Sequence, residues 1–250
     1  MNEQLVMLGE IALLFSDTTR SLFRKRLSFS DLLYQLYMIG LKSQSVVLIT
    51  GAFTGMVLAA QTYLQFHKVR MDTATMAVVS VSMLSQLGPV LTGLMVAGRV
   101  GASIAAELGT MKVTEQIDAL RTLGTHPVDY LVLPRVASSI IALPVLTAEA
   151  IAIGIGAGYL VTTSLMKVDA AYTLSNMLKY TVPNHLWQGL SKGLFFGAMI
   201  SLVACYKGMN CGEGAEGVGR ATTEAVVWSS ISILISNFFL TLLLGRVFAP

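Results

Sequence analysis

Few side chains in this sequence could do chemistry, and most of them stand in apolar surroundings. Gln61, Gln86 and Glu149 fall inside long apolar runs, where polar and ionisable groups are costly and usually face a cavity or a partner. For Gln61 and Gln86, hydrogen bonding between helices is at least as good an explanation as contact with a ligand. Glu149 reads as a packing residue in the outer half of its run. Lys192 lies within a turn or two of a boundary, from which a long stem can carry its charge to the headgroups. Arg99 and Glu107 flank the polar end of another run. They are too far apart along one helix to meet, so each is expected to pair with neighbouring chain or backbone.

Nucleotide and metal chemistry find little support. Gly212-Glu213-Gly214-Ala215-Glu216-Gly217 matches the glycine fingerprint of dinucleotide sites, but it follows an apolar run instead of the strand of a βαβ unit. No GxxxxGK[ST] motif is present to cradle ATP phosphates, and no HExxH motif to hold zinc. His67, His126 and His185 are dispersed on loops, and Cys205 and Cys211 lack CxxC spacing and read as small hydrophobes. No nucleophile has a plausible base beside it, which leaves an intramembrane enzyme without support. The chain is expected to be non-catalytic and to carry no cofactor of its own. If ATP drives it, another polypeptide binds the nucleotide.

The elements that must position these groups are membrane helices. Charged residues make up 12% of the chain and hydrophobic ones 54%, against roughly 25% charged in soluble domains. The net charge of +3 is scattered and gives no nucleic-acid argument. Ser43 to Phe66 and Thr73 to Gly98 hold no charge at all, and Ala225 to Gly245 is equally clean. Val136 to Met166 is interrupted only by Glu149, and Asn184 to Tyr206 only by Lys192. Each is long enough to cross a bilayer, which takes about 20 residues. Five spans put the termini on opposite sides. Most lysines and arginines fall on one side if the N-terminus is cytoplasmic, so the expected topology is N-terminus inside, C-terminus outside.

Ahead of the first span, residues 4 to 26 place Leu5, Leu8, Ile11, Ala12 and Phe15 on one face, followed by Arg24-Lys25-Arg26. Glu10 and Asp17 interrupt the stretch and the basic cluster follows it, so no signal peptide is expected there. A helix lying along the inner leaflet is expected there. The chain divides into N-terminal interfacial helices over 1–42 and a five-helix domain over 43–250. Asp169 to Tyr180 is expected to form a short helix on the outer face. Gly51 and Gly55, and the fourfold repeat Gly189, Gly193, Gly197, Ser201, mark faces for close helix approach. Pro144 with Gly154 is expected to bend the third span.

The stretch from Gly88 to Pro127 is the most informative. A lipid-soluble span is expected to run without a break into a charged helix. In that helix Val113, Ile117, Leu120 and Leu123 share one face, and Lys112, Glu115, Asp118 and Arg121 the other. Gly124 and Pro127 supply the stop. A membrane helix that delivers an amphipathic helix to one side of a bilayer suits a transporter subunit pushed by a soluble partner. The competing class is a self-contained secondary transporter or channel for an amphipathic solute. Against it stand the odd number of spans, the absence of a repeat between halves and the lack of clustered charges for ion coupling.

From about Leu33 to Arg246 the sequence resembles the MlaE (YrbE) family of ABC-transporter permeases. The resemblance rests on GAFTGMVLAAQ at 51–61, LGPVLTGLMVAGRVGASIAAELGTMKVTEQIDAL at 87–120, HPVDYLVLPRV at 126–136, GLSKGLFFG at 189–197 and GVGRATTEAVV at 217–227. It implies an all-α integral membrane protein with an N-terminal elbow helix, five transmembrane helices and a cytoplasmic coupling helix between the second and third. It implies a homodimer in the bacterial inner membrane, paired with MlaF-like ATPases that bind ATP and magnesium, with periplasmic MlaD-like MCE-domain subunits and with a MlaB-like STAS-domain protein. The implied cargo is glycerophospholipid, moved between inner and outer membranes to maintain outer-membrane asymmetry. The implied coupling residues are Glu107, Gly109, Met111, Thr114, Glu115, Gln116, Asp118 and Leu120. The implied lipid cavity, at the dimer interface, is lined by Leu58, Gln61, Gln65, Phe66, Val69, Gln86 and Leu87. The sequence departs from the family at one place: Ser85 and Gln86 stand where Arg-Glu is common before Leu-Gly-Pro.

Overall fold

The computed structural model describes residues 2–24 and 28–247, and all regular structure among them is helical. In chain order the helices are α1 (Asn2–Arg24), α2 (Phe29–Val69), α3 (Asp72–Val113), α4 (Gln116–Thr122), α5 (Val128–Leu165), α6 (Ala170–Tyr180), α7 (Pro183–Met209) and α8 (Gly214–Val247). Among the described residues five of these, α2, α3, α5, α7 and α8, are long and apolar enough to cross a membrane. Each covers one of the charge-poor runs, to within one residue at the end of α5, and starts before it, because the charged flanks continue the helix. The boundary expected at residue 42 lies inside α2, directly after a wide turn at Tyr37–Leu41. Similar wide turns, with bonds to the fifth residue back, interrupt α3 at Met83–Leu87 and Ala97–Gly101, and form both ends of α5.

The unbroken passage expected at the end of α3 is not what the chain does. The helix stops at Val113, and Glu115 adopts a left-handed φ of 59° before α4 begins. Thr114 folds its hydroxyl back onto the carbonyl of Thr110, 2.8 Å away. Serine and threonine compete for backbone partners in this way at helix ends. α4 is therefore a separate short helix, held to α3 by side chains.

The chain forms two compact units. The first comprises Met1–Ser43, Val96–Ala142 and Phe195–Leu234; the second comprises Gln44–Met95, Leu143–Leu194 and Ile235–Pro250. In the first unit Ile104, Leu108, Ile117, Val132, Phe196 and Ile200 are buried. α1 lies against the start of α5, where the Ser21 hydroxyl donates to the Asp129 carboxylate. Met7, Leu14, Thr18 and Ser21 face inward, while Leu13 and Phe15 are exposed, as an interfacial helix requires. Of the expected apolar face, Ile11 is half-buried and Ala12 exposed. The side chains of Leu5, Leu8 and Arg24, and all of Lys25 and Arg26, lie outside the described residues.

In the second unit Ala59, Met76, Val79 and Met83 form a buried cluster, with Leu58, Leu87, Ile155, Tyr159 and Met177 packed against it. Apolar bulk gives no net drive for association in lipid, so close backbone contact must hold these helices. The glycines supply it: a Cβ on Gly55 would collide with the carbonyl oxygen of Gly154, and one on Gly189 with that of Leu84. α6 packs on the first part of α3, capped by the Asp169 carboxylate, which accepts from the Tyr172 amide at 3.0 Å.

Candidate functional site

The most unusual group in the second unit is Lys192. The glycines Gly189 and Gly193 bring α7 close to α3 and α5, so the lysine stem has no open path to water. It is 1% exposed. Its ammonium donates to the Ser85 carbonyl at 2.8 Å, the Gln86 side-chain oxygen at 2.8 Å and the Thr241 hydroxyl at 2.9 Å. Ser85 and Gln86 lie in the wide turn at Met83–Leu87, where the carbonyl ladder is loosened. The Thr241 hydroxyl donates to the Asn237 backbone carbonyl at 2.6 Å, and the Asn237 side-chain amide donates to the Gln86 side-chain oxygen at 3.4 Å. The expectation that Lys192 snorkels is therefore corrected: it turns inward because its neighbours leave three oxygens within reach.

All three partners are neutral. A charge at mid-membrane costs about 2.5–3.5 kcal/mol on insertion scales, and a hydrogen bond to a charged group returns about 1.5–3 kcal/mol. Three such bonds suffice to hold the ammonium, yet they leave its positive charge uncompensated. Among the described residues the side-chain oxygen of Asn237 is buried without a partner. Gln86 thus bonds between helices, the first of the two explanations open in the sequence.

The other residues assigned to the lipid cavity separate into two sets. Leu58 and Leu87 pack against the same buried cluster. Gln61, Gln65 and Val69 are exposed on α2, and Phe66 is half-buried beside them. Positions 58, 61, 65 and 69 follow helical spacing, so they form one stripe. Glu149 receives a bond from the Gln44 amide at 3.4 Å, while among the described residues its second oxygen is buried without a partner. Gln44 is two residues past Lys42, so the carboxyl belongs nearer the Lys42 end of the span, and its expected place in the far half is corrected.

In the first unit the residues assigned to coupling also divide. Glu107 pairs with the buried Arg135 at 2.9 Å, and Arg99 donates to the Ser43 hydroxyl, so each has found a separate partner as expected. Gly109 is buried against Val218, 3.3 Å from where its Cβ would be, and its carbonyl accepts from Cys211. Burial pushes the Cys211 thiol above its ordinary pKa, so it is not a reactive thiolate. Met111 and Leu120 are half-buried. The turn Thr114-Glu115-Gln116 is exposed, and the Gln116 amide donates to the Thr114 hydroxyl at 3.0 Å. Asp118 bridges Lys112 and Arg121, both at 3.0 Å. Ile117 is buried beneath α4, whereas Leu123 is 78% exposed.

A span-rich chain with one exposed turn between its second and third spans has the organisation of a permease, and sequence comparison decides the matter. Residues 32–243 match the family model described as Permease MlaE. The chain belongs to the MlaE permease family. It is 47% identical over 239 residues to a probable ABC transporter permease protein of Rickettsia conorii, covering 96% of this chain and 92% of the relative. It is 41% identical over 219 residues to a probable ABC transporter permease protein of Synechocystis, covering 88% and 83%. It is 36% identical over 220 residues to the chloroplastic protein TRIGALACTOSYLDIACYLGLYCEROL 1 of Arabidopsis thaliana, covering 88% of this chain and 63% of that protein. As an ABC-transporter permease the chain is a multi-pass membrane subunit, and its class implies a separate ATPase.

Some residues of this MlaE-family permease escaped sequence reasoning. Asn237 and Thr241 lie one turn apart in the apolar α8, and only their meeting with Gln86 and Lys192 gives them weight. A usable signal was present at Lys192: a lysine flanked by Gly189 and Gly193 sits where helices are closest. Among the described residues no group of histidine, cysteine or carboxylate side chains could hold a metal ion.

Proposed function

We propose that this permease moves glycerophospholipids between the inner and outer membranes, as the membrane subunit of a homodimeric ABC transporter. The observation that carries the lipid assignment is the ammonium of Lys192, buried among neutral oxygens in the same unit as the apolar cluster around Leu58 and Leu87. A two-tailed phosphate ester calls for apolar surroundings and a positive charge, and apolar side chains and an ammonium occur in this one unit. The Arabidopsis relative carries the name of a diacyl glycolipid, which favours a two-tailed cargo. The stripe Leu58, Gln61, Gln65 and Val69, with Phe66, Gln86 and Leu87, would line the trough between two copies of the chain.

The ATPase would grip the exposed turn Thr114-Glu115-Gln116 and the adjoining Asp118 and Leu120 on the cytoplasmic side, with Glu107, Gly109 and Met111 supporting it from α3. ATP and magnesium stay with that partner. ATP-driven closure moves the turn, and the trough changes volume. Lipid would pass to a periplasmic MCE-domain subunit, and a STAS-domain protein would join the ATPase. The N-terminus is cytoplasmic and the C-terminus periplasmic in this arrangement.

Two measurements on the reconstituted complex test the proposal. Glu115→Lys is expected to abolish lipid-stimulated ATP hydrolysis while the permease stays folded; unchanged turnover removes the coupling role. A photo-crosslinking residue at position 58 is expected to capture phospholipid, and Leu58→Trp to block transport. Recovery of no lipid from position 58 overturns the trough.

A further inference from the structure

A cationic cavity lies within the first unit, and none of its lining residues is a trough residue. It has a volume of about 410 Å³ and is lined from α2 by Tyr34, Met38 and Lys42 and from α3 by Arg99, Ile104 and Glu107, among others. That volume falls within the roughly 300–1,000 Å³ of small-ligand pockets. Lys42 immediately precedes the uncharged run of α2 and Arg99 immediately follows that of α3. Both cations therefore mark the same polar boundary, where headgroups lie.

Neither positive charge is neutralised. Among the described residues no carboxylate lies within ion-pair distance of Lys42 or Arg99, and the only acid lining the cavity, Glu107, is paired with Arg135. Both cations are held in place by uncharged groups. Arg99 donates to the Ser43 hydroxyl, which donates onward to the Ile39 carbonyl, and Lys42 stands 5.7 Å above the Tyr37 ring. The wide turns bear on the cavity from both sides: Lys42 directly follows Tyr37–Leu41, and Arg99 lies within Ala97–Gly101. Such turns cluster at functional sites. Two fixed cations facing one amphipathic cavity at headgroup depth select an anion with an apolar neighbour.

We propose that this cavity binds the phosphate of an anionic lipid headgroup between Lys42 and Arg99, as a site separate from the transport trough. The bound lipid ties the start of the first span to the end of the second and does not travel. Because none of its residues belongs to the trough, the site stands whether or not glycerophospholipid is the cargo.

Native mass spectrometry of the full-length permease in detergent tests this, with dioleoylphosphatidylglycerol, dioleoylphosphatidylcholine and inorganic phosphate as probes. Phosphatidylglycerol is expected to bind more tightly than phosphatidylcholine. The combined change Lys42→Gln and Arg99→Gln should weaken it at least about tenfold, since each cation near anionic lipid contributes on the order of a fewfold. Lys42→Arg should restore binding. Lys42 is exposed, so Lys42→Gln alone tests the site without threatening the fold, with a smaller loss expected. Unaltered phosphatidylglycerol binding in the double variant overturns the proposal. Displacement of the lipid by millimolar phosphate shows that a free anion is the occupant and overturns the lipid assignment. Loss of ATPase or second-copy association with lipid binding intact shows a protein interface, and overturns it as well.

Discussion

The ammonium nitrogen of Lys192 lies 2.8 Å from the side-chain oxygen of Gln86, and both residues sit within helices long enough to span a bilayer. A positive charge faces a neutral amide where, in the resemblance to the family, a glutamate is common. Gln86→Glu is expected to convert this contact into an ion pair and to raise the melting temperature, because it gives the buried ammonium the counter-charge that its neutral partners lack. Lys192→Met keeps the stem and deletes the charge, and is expected to lower the melting temperature in detergent. Both changes should depress lipid-stimulated ATP turnover, because neither leaves a free positive charge. A destabilised Gln86→Glu protein would show that Lys192 is not held as an ammonium.

Gly55 and Gly156 offer a paired test of how the second unit is held together. A methyl on Gly55 would strike the Gly154 carbonyl, which is backbone and cannot swing aside. Gly55→Ala is expected to cost about 1–3 kcal/mol, the usual range for overpacking. Gly156, one turn-half along the same partner helix, has nothing within 4 Å of its would-be Cβ. Gly156→Ala should be neutral or stabilising by up to about 1 kcal/mol, from helix propensity. Thermal unfolding in one detergent ranks the two; equal midpoints would mean that the α2–α5 contact contributes nothing.

Asp118 makes α4 sensitive to acid. The hydrogen bond from Lys112 is the largest influence holding its carboxyl below the ordinary aspartate range, and Arg121 adds to it. A lowered folded-state value means that the bridge is complete above the unfolded value of roughly 3.9. It is lost as the pH falls through the lower folded one. A spin label at the exposed Thr122 is expected to stay ordered from neutral pH down to about pH 4 and to gain mobility below it. In Asp118→Asn the label should be mobile throughout. A label equally ordered in both proteins would show that α4 is held by Ile117 alone.

The sequence exposed the spans clearly, because a stretch such as Ser43 to Phe66 has no charge to place in lipid. Helix contacts were legible wherever they depend on residue size, as at Gly51, Gly55 and Gly189. Contacts between distant residues were not. Nothing near Lys192 in sequence announces Ser85, Gln86 and Thr241, so its charge was assigned to the nearest boundary instead of the interior. The break at Glu115 was hidden for a different reason: left-handed backbone usually advertises itself as glycine, and here a glutamate adopts it. The wide turns leave no compositional trace, so the Lys42–Arg99 cavity they border was also invisible.

Where α2 and α5 touch at Gly55 and Gly154, main chain meets main chain with no methylene between to act as a bearing. The two helices are joined there as a welded strut, unable to slide or roll past each other one rotamer at a time. Any stroke delivered to this permease must carry that strut whole, and the compliance that transport demands has to come from other joints of the chain.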